Sequence, residues 1–178
     1  MEKENFKLGL VVMRAQPLHI GHQKLINRML HECEKIIIIL GSVQEQGTER
    51  NPYTYIQRKQ MILNVFSKER DLITILGMFD INNPTQWSSF VLDFLKESLP
   101  NLPSPNVYYA GSTYDAQWFT NVIPKIVIED RVDYNFPYVS GSMVRDMIKI
   151  GDLRWKHFVP SEIHDIINDN IHTVKGIV

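Results

Sequence analysis

The sequence predicts an α/β fold: a doubly wound, Rossmann-like parallel sheet with helices on both faces, in a single domain. Short apolar runs rich in Val, Ile and Leu alternate with stretches whose apolar residues recur at helical spacing. The central runs have no polar side, which is typical of strands buried between two layers of helices. A chain of 178 residues can bury one core but is short for two, so we expect one domain over residues 1–178.

The first predicted unit is a strand, a turn and a helix. Residues 8–13 form the strand, and apolar residues then repeat at helical spacing from Leu25 to Cys33. A second run, at 35–40, is rich in Ile and is expected at the centre of the sheet. Thr54 and Gln57 form a capping-box pattern that opens a helix ending near Phe66.

Further strands and helices complete the predicted sheet. The strands are expected at 72–76, 107–110 and 125–128. Thr85 is expected to cap one helix, and Ser161 is expected to cap the last one, over 162–168. Between them, Ser140 or Ser142 begins a helix that Gly151 ends. Ligands of such folds bind where the parallel strands end, so the turns after the strands are expected to form the site.

Composition and charge restrict the function classes. Hydrophobic residues make up 44% of the chain, charged residues make up 22%, and the net charge is −1, so no general basic field is available to bind nucleic acid. A single cysteine excludes an internal disulfide and suits a reducing cytosol. The charged start has no apolar signal core, and no run approaches the length of a membrane span. We therefore expect a cytoplasmic protein with neither nucleic-acid nor membrane partners.

The run from Arg14 to His22 places two imidazoles and a glycine where the first strand passes into a helix. A helix start offers unpaired N–H groups and partial positive charge, which suit a phosphate. Gly21 lets a ligand approach the backbone, and His19 and His22 can each donate a ring N–H to a phosphate oxygen. The alternative is an ordinary pair of surface or core histidines. A metal site is disfavoured because Cys33 is distant and no third ligand has zinc-like spacing.

A second segment whose side chains could bind a phosphate runs from Val139 to Arg145. It combines two serines, Gly141 and a helix start, with an arginine about one turn into the helix. Hydroxyls and backbone N–H groups can hold phosphate oxygens while the guanidinium adds charge-assisted hydrogen bonds. The alternative is a serine cap followed by an exposed arginine.

Together the two segments resemble the nucleotidylyltransferase superfamily, whose H-x-G-H and late S-x-x-x-R-type motifs surround a triphosphate. The resemblance is closer to one branch, the archaeal-type nicotinamide-mononucleotide adenylyltransferases, and it covers nearly the whole chain in order. The matching positions are Arg14, Gln16, Pro17, His19, His22, the runs 41–44 and 48–54, Arg58, Asn83, Trp87, the run 140–145 and the run 155–160. Met13, Ala15 and Gly47 depart from the branch's usual residues, and Gly47 puts substrate specificity in question. Some relatives carry a Nudix domain, and none is expected here.

The resemblance implies that the 5′-phosphate of nicotinamide mononucleotide attacks the α-phosphorus of ATP, giving NAD and pyrophosphate. Mg²⁺ is expected to bind mainly through the ATP phosphates, with no protein metal ligand. Self-association into a homo-oligomer is also expected from the resemblance. The implied catalytic residues are His19, His22, Arg14 and Arg145. The implied substrate-binding residues are Gln16, Gly21, Ser42, Gln44, Arg50, Asn51, Arg58, Asn83, Trp87, Ser140, Gly141 and Ser142.

Some of these implied roles have ordinary alternatives. Trp87 and Asn83 are assigned to the nicotinamide end, although Trp87 could pack in the core instead. Arg50 and Arg58 are the spare cations for the mononucleotide phosphate, although Arg58 could face solvent on its helix. Asn51 could simply belong to a turn before that helix.

Three other functions share part of the pattern. A nucleotidylyltransferase for phosphopantetheine, flavin mononucleotide, or a sugar or glycerol phosphate would keep both motifs without needing Trp87 and Asn83 together. A class I aminoacyl-tRNA synthetase fragment shares the H-x-G-H tetrapeptide, but the segment from Ser140 to Arg145 lacks the lysines such enzymes need. A non-catalytic nucleotide-binding regulator is disfavoured because the histidines and arginines are retained.

Overall fold

A five-stranded parallel sheet forms the centre of the computed structural model, which describes residues 5–81, 83–129 and 137–176. The strands are β1 (Phe6–Met13), β2 (Cys33–Leu40), β3 (Ile73–Gly77), β4 (Val107–Ala110) and β5 (Lys125–Ile128). Their order across the sheet is β3-β2-β1-β4-β5, and every neighbouring pair is parallel. The predicted doubly wound fold and its five strands are confirmed.

Helices cover both faces of this sheet. They are α1 (Ile20–Glu32), α2 (Tyr55–Val65), α3 (Trp87–Ser98), α4 (Thr113–Ala116), α5 (Gly141–Lys149), α6 (His164–Asp169) and α7 (Ile171–Lys175). Alternate strand residues separate two apolar clusters, because successive side chains of a strand point to opposite faces. Ile36 and Ile38 of β2 pack with α1, α2 and α5, whereas Ile37 and Ile39 pack with α3 and α4. No helix in the described ranges has the length and apolar character needed to cross a bilayer.

The caps show where local sequence signals were sufficient. Thr54 caps α2 through a reciprocal capping box with Gln57, as predicted. Ser140 caps α5 by accepting the Met143 N–H at 3.2 Å, and Gly151, with φ of +75°, follows the end of that helix. A serine before a helix and a glycine after it are the expected punctuation.

Two predicted caps are wrong. Thr85 lies inside the 3₁₀ turn Pro84–Gln86, its hydroxyl donates to the Asn83 side chain at 2.8 Å, and α3 begins only at Trp87. The Ser161 hydroxyl donates to Glu162 within the 3₁₀ turn Ser161–Ile163. The helix predicted over 162–168 is present as α6 but begins later, because that turn precedes it, and α7 was not predicted. Hydroxyl bonds to near neighbours compete with capping, which explains both errors.

Candidate active site

Two histidines cap the first turn of α1 reciprocally. His19 is the N-cap residue, and its Nδ1 accepts the His22 backbone N–H at 3.4 Å, while the Nδ1 of His22 accepts the His19 N–H at 3.4 Å. The rings stack with centroids 3.7 Å apart. Because each Nδ1 accepts a hydrogen bond, we assign the ring proton of each neutral imidazole to Nε2. In this tautomer, Nε2–H is the ring donor of each histidine.

Gly21 has little free space around it. A Cβ at this position would lie 3.1 Å from the His19 ring and 3.1 Å from the Val139 side chain. A larger residue would push the histidine cap away from the chain before α5. The glycine thus keeps the two predicted motifs in contact.

The α5 segment is bound directly to the β1–α1 turn. Arg145 donates from Nη1 to the Gln16 carbonyl at 2.6 Å and from Nη2 to the Ser142 hydroxyl at 3.2 Å. A Cβ at Gly141 would lie 2.9 Å from the same carbonyl oxygen, so this position admits only glycine without a backbone shift. The start of α5 therefore faces the first turn of α1.

One cleft of about 670 Å³ collects these groups at the carboxyl edge of the sheet. The predicted residues that line it are Arg14, Gln16, His19, Gly21, His22, Trp87, Ser140, Gly141, Ser142 and Arg145. The expected convergence of the histidine turn and the serine–arginine segment on one cleft is confirmed. A binding volume of this size fits a nucleotide-sized ligand.

The cleft concentrates positive charge where the two segments meet. Burial lowers the pKa of Arg145, and the nearby Arg14 lowers that pKa further, with a smaller contribution from Arg50. The Arg145 guanidinium still carries its positive charge at neutral pH, because arginine is effectively always protonated in proteins. Like charges held close together repel, and a polyanion bound between them would relieve that repulsion.

The side chain of Gln16 forms part of the cleft wall and of the scaffold. Its Nε2 donates to the Tyr53 carbonyl at 2.8 Å, and its Oε1 accepts the Tyr53 N–H at 2.9 Å. The amide of Gln16 therefore joins the β1–α1 turn to the segment before α2.

Within the connection between β2 and α2, Gly41 is the one residue that lines the cleft. Ser42 is buried at φ of +53°, and its backbone N–H and hydroxyl both donate to the Asp80 carboxylate. The Gln44 side-chain oxygen accepts the Asp80 N–H at 3.3 Å. Asn51 is buried and donates to Glu45 at 2.6 Å. Among the described residues, Ser42, Gln44 and Asn51 are not part of the cleft lining.

Arg58 is buried beneath the ends of the first two strands. Its Nη1 donates to the carbonyl oxygens of Arg14 and Gly41, both at 2.8 Å, and its exposed fraction is 0%. Burial lowers the pKa of Arg58, and the carboxylate of Asp80 opposes that shift. The alternative of a solvent-facing Arg58 is wrong, and among the described residues Arg58 is not part of the cleft lining. The physical reason is that two inward-pointing strand-end carbonyls need donors.

Arg50, Asn83 and Trp87 differ in their access to the cleft. Arg50 is exposed, and among the described residues neither it nor Asn83 lines the cleft. The Asn83 amide donates to the Gln86 side chain at 3.0 Å, within its own turn. Trp87 lines the cleft and also packs against the α3 side of the core, so both of its predicted environments are present.

Several cleft residues carried no motif signal. They are Lys24, Asp80, Tyr114, Asp115 and Trp118. The segments containing Asp80 and Gly111 were expected at this edge of the sheet as turns after strands. Naming individual side chains there would have required the short helix α4, whose four residues give too weak a periodic pattern to detect.

Comparison with known proteins identifies the class. The family model described as cytidylyltransferase-like matches residues 14–147, which run from the β1–α1 turn into α5. The chain therefore belongs to the cytidylyltransferase-like family and is a nucleotidyltransferase. It is 31% identical to a nicotinamide-nucleotide adenylyltransferase of Methanococcus vannielii, over 95% of this chain and 94% of the relative. A protein of the same name from Thermococcus sibiricus is 27% identical over 95% and 85% of the two chains. Within its family, the chain belongs to the nicotinamide-nucleotide adenylyltransferases.

Solved structures support the fold. A bifunctional NMN adenylyltransferase/ADP ribose pyrophosphatase from Francisella tularensis, complexed with AMP and a manganese ion, matches with a TM-score of 0.75 at 18% identity. The match covers 96% of this chain, and the chain spans 52% of that bifunctional protein. A nicotinic acid mononucleotide adenylyltransferase of Plasmodium falciparum matches with a TM-score of 0.61 at 14% identity, covering 93% and 95% of the two chains. These likenesses show the fold.

Proposed function

We propose that this chain transfers AMP from ATP to nicotinamide mononucleotide, producing NAD and pyrophosphate. The observation that carries the proposal is the meeting of the His19–His22 cap with Ser142 and Arg145 at one cleft that Trp87 also lines. Membership in the nicotinamide-nucleotide adenylyltransferases supports the same reaction.

The proposed reaction is a direct displacement at phosphorus. An oxygen of the mononucleotide 5′-phosphate forms a bond to the α-phosphorus of ATP, and the bond from that phosphorus to the α,β-bridging oxygen breaks. The electron pair leaves with pyrophosphate, so the step needs neither a protein nucleophile nor a proton transfer. Such a transfer depends on positioning the phosphates and on stabilising the charge that develops on them.

His19 and His22 would act on the reacting phosphate. Their reciprocal cap fixes both Nδ1 atoms, so each Nε2–H can donate to the α-phosphate or to the bridging oxygen. Stacking holds the rings together, so the donors are oriented before the ligand binds. Donors that are already oriented lose little entropy in the transition state.

Arg145 and Ser142 would hold the departing β- and γ-phosphates, with Arg14 beside them. Two hydrogen bonds already orient the Arg145 guanidinium, one to the Gln16 carbonyl and one to the Ser142 hydroxyl. A guanidinium fixed in this way stabilises the charge that accumulates on pyrophosphate. Gly141 and Ser140 would add donors at the start of α5.

Mg²⁺ is proposed as the accompanying ion, bound through ATP phosphate oxygens and water. Across residues 5–81, 83–129 and 137–176, no cluster of three His, Cys, Asp or Glu side chains forms a metal site. The phosphate-binding residues fit such an ion, since they would position the oxygens that hold it. When bound, it neutralises phosphate charge during the transfer. Homo-oligomerisation stays a prediction.

The test is an acceptor screen. Incubate the protein with ATP, Mg²⁺ and one acceptor at a time, namely nicotinamide mononucleotide, phosphopantetheine, flavin mononucleotide and glycerol phosphate, and measure pyrophosphate release. We expect pyrophosphate and NAD with nicotinamide mononucleotide. Product with another acceptor alone would assign a different transferase activity, and nucleotide binding with no turnover would assign a regulator.

A further inference from the structure

The backbone carbonyl of Gln16 is the point at which the two phosphate-binding segments touch. Arg145 donates to its oxygen from Nη1 at 2.6 Å. A Cβ at Gly141 would lie 2.9 Å from the same oxygen and 3.2 Å from Nη1 of Arg145, so the start of α5 packs closely against it. Hydrogen bonds from charged donors are strong and directional. The direction of this carbonyl therefore helps to set where the Arg145 guanidinium lies.

The side chain of Gln16 is anchored in a different part of the chain, the segment before α2. Its Nε2 donates to the Tyr53 carbonyl at 2.8 Å, and its Oε1 accepts the Tyr53 N–H at 2.9 Å. Both residues are buried. Two hydrogen bonds that are shielded from water hold the amide in one orientation. The amide of Gln16 thus binds protein at both of its ends.

The turn before Gln16 has a backbone conformation that needs support. Ala15 is buried with φ of +50°, in the left-handed region that is unfavourable for a residue with a Cβ. Such a conformation persists only where surrounding contacts impose it. On one side of Ala15, Arg58 donates to the Arg14 carbonyl at 2.8 Å. On the other side, the hydrogen bonds of the Gln16 amide supply the matching support.

Arg145 depends on its acceptors because another cation lies near it. Burial lowers the pKa of Arg145, and the charge of Arg14 lowers it further. A half-buried guanidinium that is repelled by a neighbour is held in place by the groups that accept its N–H bonds. Those acceptors are the Gln16 carbonyl and the exposed Ser142 hydroxyl, which lies 3.2 Å from Nη2. A hydroxyl can rotate, whereas the carbonyl is fixed by the backbone.

We propose that Gln16 is a positioning residue, whose amide, held by the Tyr53 backbone, fixes the direction of its own carbonyl and through it the Arg145 guanidinium. This role differs from the substrate contact that the resemblance implies for Gln16. The proposal rests on the proposed function, because Arg145 is the group that would hold the departing phosphates there. A guanidinium that is already oriented stabilises the charge developing on pyrophosphate without being ordered during the reaction.

The experiment compares wild type with Gln16→Met, Arg145→Met, the double variant and Gln57→Met. Methionine keeps the length of glutamine and removes both hydrogen-bonding ends. Gln57 is the matched control, because its amide also forms two hydrogen bonds at the start of α2, accepting the Thr54 N–H and donating to the Asn170 side chain. Among the described residues, Gln57 is not part of the cleft lining.

Three quantities are measured for each protein. Steady-state pyrophosphate release gives kcat and the KM of nicotinamide mononucleotide. Calorimetry without ATP gives the Kd of inorganic pyrophosphate in the presence of Mg²⁺. Urea unfolding gives the stability. If Gln16→Met does not fold, Gln16→Asn takes its place in the single and double variants, since its shorter amide cannot reach both Tyr53 groups from the same backbone position.

We expect Gln16→Met to lower kcat about tenfold and to weaken pyrophosphate binding about tenfold, while the KM of nicotinamide mononucleotide stays near the wild-type value. Because Gln16 acts through Arg145, the same substitution should change either quantity by less than about twofold when Arg145 is already methionine. Gln57→Met should lower stability and leave kcat and pyrophosphate affinity at the wild-type values.

A tenfold loss from the Gln16 substitution in the Arg145→Met background as well would overturn the proposal, since the effect would then not pass through Arg145. Wild-type kcat and pyrophosphate affinity in the Gln16 variant would also overturn it. Failure of the proposed function would be visible in the wild type itself, as no AMP transfer to nicotinamide mononucleotide. In that case the pyrophosphate affinities decide the inference alone: non-additive losses support it, and additive losses or absence of wild-type binding reject it.

Discussion

The turn that precedes α1 and the connection that precedes α2 both carry residues of the family pattern, yet they perform different tasks. In the first, Arg14, His19 and His22 line the cleft directly. In the second, Ser42 and Asn51 are buried and bind other protein groups. The family pattern therefore covers two kinds of residue, those that line the cleft and those that bind other protein groups.

Arg58 connects the two regions. It extends from α2 and donates to the carbonyl of Arg14 at the end of β1 and to that of Gly41 at the end of β2. The same carbonyl groups begin the two turns under comparison. Arg58 thus joins the two regions through their backbone carbonyls, without lining the cleft itself.

The largest expected effect is a loss of turnover in the turn that precedes α1, with little loss of stability. His22→Ala should lower kcat by roughly 10²–10³, the loss usual for one transition-state donor, because the Nε2–H is removed. The measurement is steady-state pyrophosphate release with nicotinamide mononucleotide. Stability should fall only by the value of one weak cap, about 1 kcal/mol.

The control for His22→Ala is His31→Ala, an exposed histidine in the last turn of the same helix. It should leave kcat near the wild-type value. Near-normal turnover in the His22 variant would remove the histidine turn from the reaction.

Arg58→Met should show the opposite result, a larger effect on stability than on catalysis. The carbonyl groups of Arg14 and Gly41 lose their charged donor, so we expect the free energy of unfolding to fall by about 3 kcal/mol. Urea unfolding measures this change, and Lys59→Met on the same helix is the matched control. If stability is unchanged while mononucleotide affinity falls, Arg58 contacts substrate and the division between the two regions fails.

The sequence predicted the sheet and the cleft motifs because both depend on local signals. Apolar runs identify the strands of a buried parallel sheet, and His19–His22 and Ser140–Arg145 each combine a helix start with phosphate-binding groups. The inward direction of the Arg58 side chain was not predictable from local sequence, since the two carbonyl oxygens that it binds lie at the ends of β1 and β2. Asp80 escaped notice for the same reason, because its partner Ser42 follows another strand.

Trp87 lies on the boundary between lining and supporting residues, and Trp155 provides its contrast. Trp87→Ala should weaken nicotinamide mononucleotide binding about tenfold, the value of one stacked ring, with a smaller loss of stability. Trp155 is buried on the opposite face of the sheet with 1% exposure, so Trp155→Ala should cost about 3–5 kcal/mol of unfolding free energy. For both variants, fluorescence titration measures mononucleotide affinity and urea unfolding measures stability. Unfolding of the Trp87 variant with unchanged affinity would place it with the core.

Gln44→Ala should have the smallest effect, and it tests the comparison most directly. The family pattern includes Gln44, yet the residue is exposed outside the cleft lining and makes a 3.3 Å contact with the Asp80 N–H. Loss of such a contact should change stability by less than about 0.5 kcal/mol and kcat/KM by less than about twofold. Gln46→Ala, exposed in the same connection, is the control. A tenfold loss of kcat/KM in the Gln44 variant alone would mean that this loop reaches the substrate when ligands bind, so a motif residue outside the cleft of the free protein would still belong to the catalytic surface.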